Sequence, residues 1–384
     1  MKTKQISVLI PDQSNNPLAY YVVRCLKEGK QEFNINMIVA SDQVSNNDSW
    51  SVFYNKTNFI DNLLFSKYEM NSPGYLNEVI QIIENAEIEI VIPASEAGFK
   101  FVSKHRDKLS KFCKVAALPS YDALDTAFDK WKFSLALKQN NIPIPETVLL
   151  NSIEDASAFK YPVIIKPTNG SGGKNIQKFD AFSEEGFQSV IDNKSEVYIV
   201  QEYIDGYDID CNVLCLEGQV IAYTIQQPLG VEGGFSPKID KLKFVHNSSV
   251  IDIVSRTMKA LKWSGVAHLD LRFDSKNGNF KVIEINPRFW QSLMGSLSVG
   301  VNFPYLLYLL TNEISFDTVS YQEKYYAKLP RFVKDAFNGT LEYDLSDTNI
   351  KYLLSDFNSV FQFSIHDFFR NKLYNKKKKF AKSI

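Results

Sequence analysis

The residues best equipped for chemistry lie between Gly265 and Arg288, where Asp270, Glu284 and Asn286 stand near two arginines, Arg272 and Arg288, and one histidine, His268. Two alternating runs flank Asn277-Gly278, so the stretch reads as a β-hairpin. Strand side chains repeat with period two, which places His268, Asp270 and Arg272 on one face of the first strand. The same rule aligns Glu284, Asn286 and Arg288 where the second strand ends. Carboxylates, an amide and guanidinium groups in one patch make a poor core and a good site for a divalent cation and a phosphate. Magnesium takes hard oxygen ligands, commonly one or two carboxylates together with phosphate oxygens. A strict two-residue turn would set Asp270 opposite Ile285 and send Glu284 to the other face. Both carboxylates reach one metal only if the loop is odd, for instance Lys276-Asn277-Gly278 with Gly278 left-handed as a bulge. Asp270 then faces Glu284, and His268 faces Asn286. His268 reads as a neutral packing residue, since nothing specific pairs with it. Arg272 reads either as a contact for a substrate carboxylate or as a partner of Asp270.

A second chemical stretch is Tyr161 to Ile176. A strand delivers Lys166 from an apolar run, and Gly170-Ser171-Gly172-Gly173 follows at once. Glycines let backbone N–H groups turn towards an anion, and a nearby lysine adds a point charge. The Walker pattern fails, because Thr168 stands where its first glycine belongs and Asn175 follows Lys174. A third stretch, Val197 to Asp210, reads as two strands joined by a kinked link at Asp205-Gly206. Such a hinge exposes backbone against which a flat base could slot, with Gln201 at its edge.

The elements that must carry these residues follow from periodicity. Ile6–Ile10, 35–40 and 88–92 read as buried strands, with a helix opening at Asn16-Pro17 and running to about Lys30 and another from Tyr75 to about Asn85. Strands alternating with helices imply a parallel sheet. The loop after the first strand lacks G-x-G-x-x-G, which argues against a dinucleotide site. It leaves a scaffold that walls a cleft, with Asp12, Ser14 and Glu96 at strand ends as candidate substrate contacts. Alternation fades between Cys113 and Ser120, so a domain boundary is expected near Leu118. A helix from Asp129 to Asn140 ends at Asn141-Ile-Pro-Ile-Pro, an extended stretch runs from Glu146 to Leu150, and a helix over 248–262 leads into the hairpin.

Bulk properties narrow the class. The chain has 384 residues, 45% hydrophobic and 23% charged, as expected for a folded protein of two or three domains. A formal net charge of -1 gives no field for nucleic acid. The four cysteines form no C-x-x-C pair, so neither a disulfide framework nor a zinc site is expected, and a cytoplasmic location fits. Cys211 and Cys215 read as small buried residues. The N-terminus lacks a signal-peptide pattern, and no apolar window has membrane-spanning length.

Together the motifs Asp129-Lys130, Pro162-Val-Ile-Ile-Lys166-Pro with its glycine loop, Gln201-Glu202-Tyr203-Ile204 with Gly206-Tyr207-Asp208, and Ile283-Glu284-Ile285-Asn286-Pro287-Arg288 resemble, in that order over residues 120–312, the ATP-grasp superfamily of carboxylate–amine ligases. The resemblance implies an α/β (α+β) ATP-grasp fold. Its expected parts are a Rossmann-like domain over 1–118, a small subdomain with the glycine loop over 119–195, a large subdomain with the metal hairpin over 196–330, and a helical extension with a basic tail over 331–384. It also implies roles. Lys130 and Lys166 hold ATP phosphates, with Gly170, Ser171, Gly172 and Gly173 closing over them. Gln201 sits at the adenine edge, Glu202 and Ile204 offer backbone to the base, and Asp208 binds the ribose, where glutamate is commoner. Asp270, Glu284 and Asn286 bind magnesium, expected as two ions with manganese as a substitute. Arg288 steadies an acyl phosphate. Asn175 stands where glycine is common, which stiffens the loop.

The activity implied is ADP-forming ligation of a small-molecule carboxylate to an amine, and the Asn-Pro-Arg-Phe-Trp variant points to peptide, natural-product or cell-surface polysaccharide chemistry. Rival functions on the same fold are a carbamoyl-phosphate-type or other phosphotransfer enzyme and a non-catalytic ATP-binding module. A homodimer through the N-terminal domain is common among similar enzymes. Phe289, Trp290 and Gln291 read as core packing or as lining of an acceptor pocket. In the tail, Ile365, Phe368, Phe369 and Leu373 share a helical face ahead of Lys376–Lys379. Such a helix either docks on the protein or makes peripheral contact with a membrane.

Overall fold

The computed structural model describes residues 5–12, 17–40, 53–170, 173, 175–193, 196–230 and 239–361. Ser14, Ser171, Gly172, the 231–238 loop and the basic tail therefore lie outside the described residues.

Five strands form the first sheet: β1 (Ile6–Asp12), β2 (Phe33–Val39), β3 (Asn62–Phe65), β4 (Ile90–Val91) and β5 (Lys114–Val115). Their order is β3-β2-β1-β4-β5, and every pairing is parallel, as the alternation of strands and helices requires. β1 and β2 are near-continuous apolar runs, because helices cover both faces of such a sheet. β3 is invisible to the sequence patterns. It is a four-residue edge strand with mostly exposed side chains, so no burial shaped its composition. The first helix spans Leu18–Lys27, with Pro17 immediately before it rather than at its first position.

The second sheet holds β6 (Thr147–Leu149), β7 (Val163–Pro167), β8 (Gln177–Phe179) and β9 (Tyr198–Glu202) in the order β6-β9-β7-β8. The third holds β10 (Asp208–Leu216), β11 (Gln219–Pro228), β12 (Lys241–Val245), β13 (Gly265–Asp274), β14 (Asn279–Asn286) and β15 (Tyr325–Ala327) in the order β14-β13-β10-β11-β12-β15. β9 completes the small sheet, so the break expected at 195–196 moves to the link 203–207. The reason is register: β9 pairs with both β6 and β7, which no sequence pattern announces.

That link is the kink expected at Asp205-Gly206. A Cβ on Gly206 would lie 1.8 Å from the Phe273 carbonyl oxygen, so only glycine admits the approach of the link to β13. Backbone bonds Ser275 N–Asp205 O (3.0 Å) and Phe273 N–Tyr207 O (2.9 Å) stitch it down.

The first and third sheets share one apolar core. Val8, Ile35 and Phe99 belong to the same buried cluster as Leu214, Phe244, Phe289, Trp290 and the helix Phe303–Thr311. Phe289 and Trp290 are thus packed inside, which settles their role as core. Cys25, Cys211 and Cys215 are buried and unpaired, as expected of small apolar side chains. Among the described residues no helix is long and apolar enough to cross a membrane.

Candidate functional site

The hairpin β13–β14 sets the site. Its register pairs Asp270 with Glu284 and His268 with Asn286, so both carboxylates share a face. The cause differs from the expected odd loop. Asp274 pairs with Asn279 around a four-residue loop, an even count, although Gly278 is left-handed at φ 68° and its N–H bonds Asp274 O at 2.8 Å. The extra residue lies within β14, where pairing jumps from Leu271–Val282 to Asp270–Glu284 and leaves Ile283 as a bulge. Core residues Val282 and Ile285 stay buried, while Ile283 and Glu284 both turn to the cleft. Neither a turn signal nor a glycine marks this bulge.

A cleft of about 290 Å³ lies between the four-stranded and the six-stranded sheets. Lys130, Lys166, Gly170 and Gly173 line one side of it, and Asp270 and Glu284 the other. Gln201, Glu202, Ile204, Asp208 and Arg272 line the hinge end. Asn286 and Arg288 join by side-chain contact rather than by lining: Asn286 Nδ2 donates to Asp270 Oδ2 at 3.1 Å, and Arg288 NH2 to Asn286 Oδ1 at 3.0 Å.

The lysines arrive from different elements. Asp129 caps the helix Lys130–Gln139 by accepting from the backbone N–H groups of Trp131 and Lys132, which sets Lys130 in its first turn. Lys130 Nζ donates to Gly170 O at 2.7 Å and lies 3.7 Å from Glu284 Oε2. Lys166, only 4% exposed, comes from β7. Burial, opposed by Glu284 and reinforced by Lys130, pushes its ammonium down to about 8. A buried cation so poorly compensated suits a phosphate that would supply the missing negative charge. Gly170 (φ 115°) and Gly173 (φ 66°) adopt backbone that other residues rarely take. Asn175 is itself left-handed at φ 59° and donates to Glu196 at 3.0 Å, so asparagine replaces glycine there without leaving the left-handed region.

The metal-type ligands are electrostatically linked. Burial, reinforced by Asp270, raises the Glu284 carboxyl above its ordinary value. Burial also works against the Asp270 carboxylate, yet His268, a hydrogen bond from Glu284 and Arg288 together hold it below the ordinary range. Two half-buried carboxylates on one face, joined by an amide oxygen from Asn286, are an all-oxygen set that fits magnesium. Arg288 is shifted down by burial, against the opposing charges of Glu96, Asp270 and Glu284. Glu96 therefore reaches the site electrostatically from the first turn of the helix Glu96–Lys104, while Asp12 is fully buried at the end of β1.

Two expectations need correction. Arg272 lines the cleft but makes no bond to Asp270, and its guanidinium is already engaged. Its guanidinium bonds Asp208 Oδ1 (2.5 Å), Ile204 O (2.6 Å) and Gly206 O (2.9 Å), bracing the hinge. A planar five-donor fork satisfies a kinked backbone link as no other side chain does. His268 is not a bland packing residue. Its Nε2 lies 2.8 Å from Asp270 Oδ1 and its Nδ1 2.6 Å from Asn212 Oδ1. Gln201 is held by Thr147 at 2.9 Å, and Glu202 spends its carboxylate on Lys281 at 2.8 Å.

Asp210, Asn212 and Gln226 were not anticipated. Asp210 pairs with Asp270 and Asn212 with His268 across β10 and β13. Burial, opposed by His268 and reinforced by Asp270, pushes Asp210 up to about 7. The signal was present: Asp208, Asp210 and Asn212 alternate, so assigning Asp208 to the cleft assigns the others to its face.

Residues 127–292 match the ATP-grasp domain. Over 227 residues the chain is 28% identical to the carbamoyl phosphate synthase large chain of Clostridium acetobutylicum, covering 56% of this chain and 21% of that protein. Over 239 residues it is 22% identical to a D-aspartate ligase of Enterococcus faecium, covering 56% of each. The chain thus spans about a fifth of the first relative and about half of the second. In fold it is similar to the L-amino acid ligase of Bacillus licheniformis (TM-score 0.59, 18% identity, 82% of this chain and 75% of that one). It is also similar to the N5-carboxyaminoimidazole synthetase of Staphylococcus aureus complexed with ADP (TM-score 0.66, 14% identity, 88% of each).

Proposed function

We propose that this chain, whose residues 127–292 form an ATP-grasp domain, is an ATP-dependent ligase that joins a small-molecule carboxylate to an amine with release of ADP and phosphate. The observation that carries this reading is the convergence of Lys130, Lys166, Asp270 and Glu284 on one cleft between two sheets, with Arg288 tied to its edge through Asn286. ATP occupies that cleft, its base towards Gln201, Glu202 and Ile204, its ribose towards Asp208 and its triphosphate towards the lysines. Asp208 meets the ribose already paired with Arg272.

A substrate carboxylate oxygen attacks the γ-phosphorus. An O–P bond forms, the bond to the β-phosphate oxygen breaks, and ADP leaves. The amine nitrogen then attacks the acyl phosphate carbonyl, phosphate departs with the bonding pair, and the amine loses a proton. Phosphoryl transfer asks the protein for positioning and charge neutralisation rather than covalent help. The two lysines and Arg288 supply charge from fixed elements. Asp270, Glu284 and Asn286 would hold magnesium, which when bound neutralises phosphate charge. Similarity to a D-aspartate ligase and an L-amino acid ligase supports an amino acid among the substrates.

The carbamoyl phosphate synthase likeness favours one rival, a carbamoyl-phosphate-type enzyme that phosphorylates a small oxyanion, for which bicarbonate is the probe. An ADP-release screen over amino acids, dipeptides and nucleotide sugars, with and without bicarbonate, tests both. ADP and phosphate formed only with an organic acid and an amine support the ligase. Bicarbonate-dependent ADP release without an organic acid supports the rival, and AMP with pyrophosphate among the products sinks the acyl-phosphate route.

A further inference from the structure

Along the cleft floor a chain of polar side chains, buried at Asp210, Asn212 and Gln226 and half-buried at His268 and Asp270, runs from Asp210 to Asp270. Gln226 Nε2 donates to Asp210 Oδ2 at 3.2 Å, and Asn212 Nδ2 donates to Gln226 Oε1 at 3.2 Å. Asn212 Oδ1 meets His268 Nδ1 at 2.6 Å, and His268 Nε2 meets Asp270 Oδ1 at 2.8 Å. Asp210, Asn212 and Gln226 are each 4% exposed or less. The chain also reaches the turn after Arg288, because Ser292 Oγ donates to the same Gln226 Oε1 at 2.9 Å. Thr224, which accepts from Asn212 Nδ2 at 3.0 Å, contacts Ser296 at 3.2 Å.

Burying this many polar groups costs stability unless each is satisfied, and apolar residues would pack the same volume more cheaply. A fully satisfied buried network does confer rigidity. The rigidity bears on Asp270: His268 grips one of its carboxylate oxygens, and Asn286 the other. His268 stacks on Trp290, with ring centroids 6.1 Å apart and planes at 21°, so its ring plane is held as well as its two nitrogens.

We propose that Asn212 and His268 are positioning residues for the metal-binding carboxylate of Asp270. Asn212 holds the imidazole, the imidazole sets the carboxylate rotamer, and Gln226 ties this setting to the turn at Ser292 that follows Arg288. The inference rests on the ATP–metal reading of the cleft. Partners that orient metal ligands typically account for about 10–100-fold in metal affinity.

The test measures Mn2+ affinity of the full chain in the presence of a non-hydrolysable ATP analogue, from the electron paramagnetic resonance signal of free Mn2+. Asn212→Leu and His268→Leu each weaken Mn2+ about tenfold or more, and the double variant is no weaker than His268→Leu alone. Non-additivity of that kind marks action through one residue on another. His268→Gln, which keeps a donor towards Asp270, recovers part of the loss. Analogue affinity without metal stays within about twofold in every variant. Losses that add in the double variant, or Mn2+ affinity within twofold of wild type in both single variants, overturn the proposal. Should the leucine variants fail to unfold cooperatively, the wild-type protein decides: its His268 ring nitrogen resonances must shift when Mg2+ and the analogue bind, and an unchanged spectrum overturns the proposal. A wild-type protein that binds no Mn2+ with the analogue overturns the functional reading itself, an outcome distinct from intact binding that the variants leave untouched.

Discussion

At the residue scale, Lys166 is the group whose environment departs furthest from a solvated lysine. Its ammonium, buried and shifted to about 8, meets a triphosphate only while protonated. ATP-analogue affinity is therefore expected to fall as pH rises through about 8, read by calorimetry between pH 7 and 9.5. The stability sign runs the other way. With its pKa lowered from 10.5 in the unfolded chain, the ligand-free protein binds fewer protons than the unfolded chain between about 8 and 10.5, so this group lends stability as pH rises across that window. Lys166→Ala is expected to raise the barrier by at least about 3 kcal/mol, roughly two decades in kcat. Wild-type turnover in that variant would remove Lys166 from phosphate binding.

At the element scale, the hinge and the bulge do the positioning. Gly206→Ala would drive a methyl into the Phe273 carbonyl and must displace the link that Arg272 braces. Overpacking of this kind costs about 1–3 kcal/mol, visible as a lower urea midpoint with an unchanged slope. Because Ile204 and Asp208 share that brace, analogue affinity is expected to weaken as well. An affinity equal to wild type would show that the base does not rest on the hinge. The hairpin teaches a related lesson. Asp270 opposite Glu284 follows from the requirement that both reach one metal, and the structure has that register. The sequence places the odd residue in the loop, whereas the chain places it at Ile283. A bulge in the middle of a strand leaves no compositional trace when the inserted residue is apolar.

At the scale of the whole molecule, the C-terminal segment is clasped to the N-terminal sheet's side of the structure. Asp356, 4% exposed, accepts from Tyr20 OH at 2.9 Å and from Thr57 Oγ1 at 2.7 Å. Arg24 lies close by, its guanidinium 3.8 Å from the Phe59 ring centroid and 5.6 Å from that of Tyr352. Asp356→Ala leaves two buried hydroxyls without their shared acceptor and is expected to cost about 1–3 kcal/mol in chemical denaturation. Kinetics measured under native conditions should barely change, since the clasp lies away from the cleft. A large loss of kcat at full folding would instead implicate the clasp in the ligase cycle.

The parallel sheet, the hairpin, the glycine loop and the ordered lysines and carboxylates of the cleft were legible in one dimension, because periodicity and local motif chemistry act over neighbouring residues. What the tertiary structure decided lies between strands. It engaged Arg272 at the hinge, gave His268 two partners, brought Asp210 and Gln226 to the cleft floor and moved β9 into the small sheet. Each of these depends on register between segments distant in the chain, and register is selected by the summed packing of whole sheets, which no local pattern encodes.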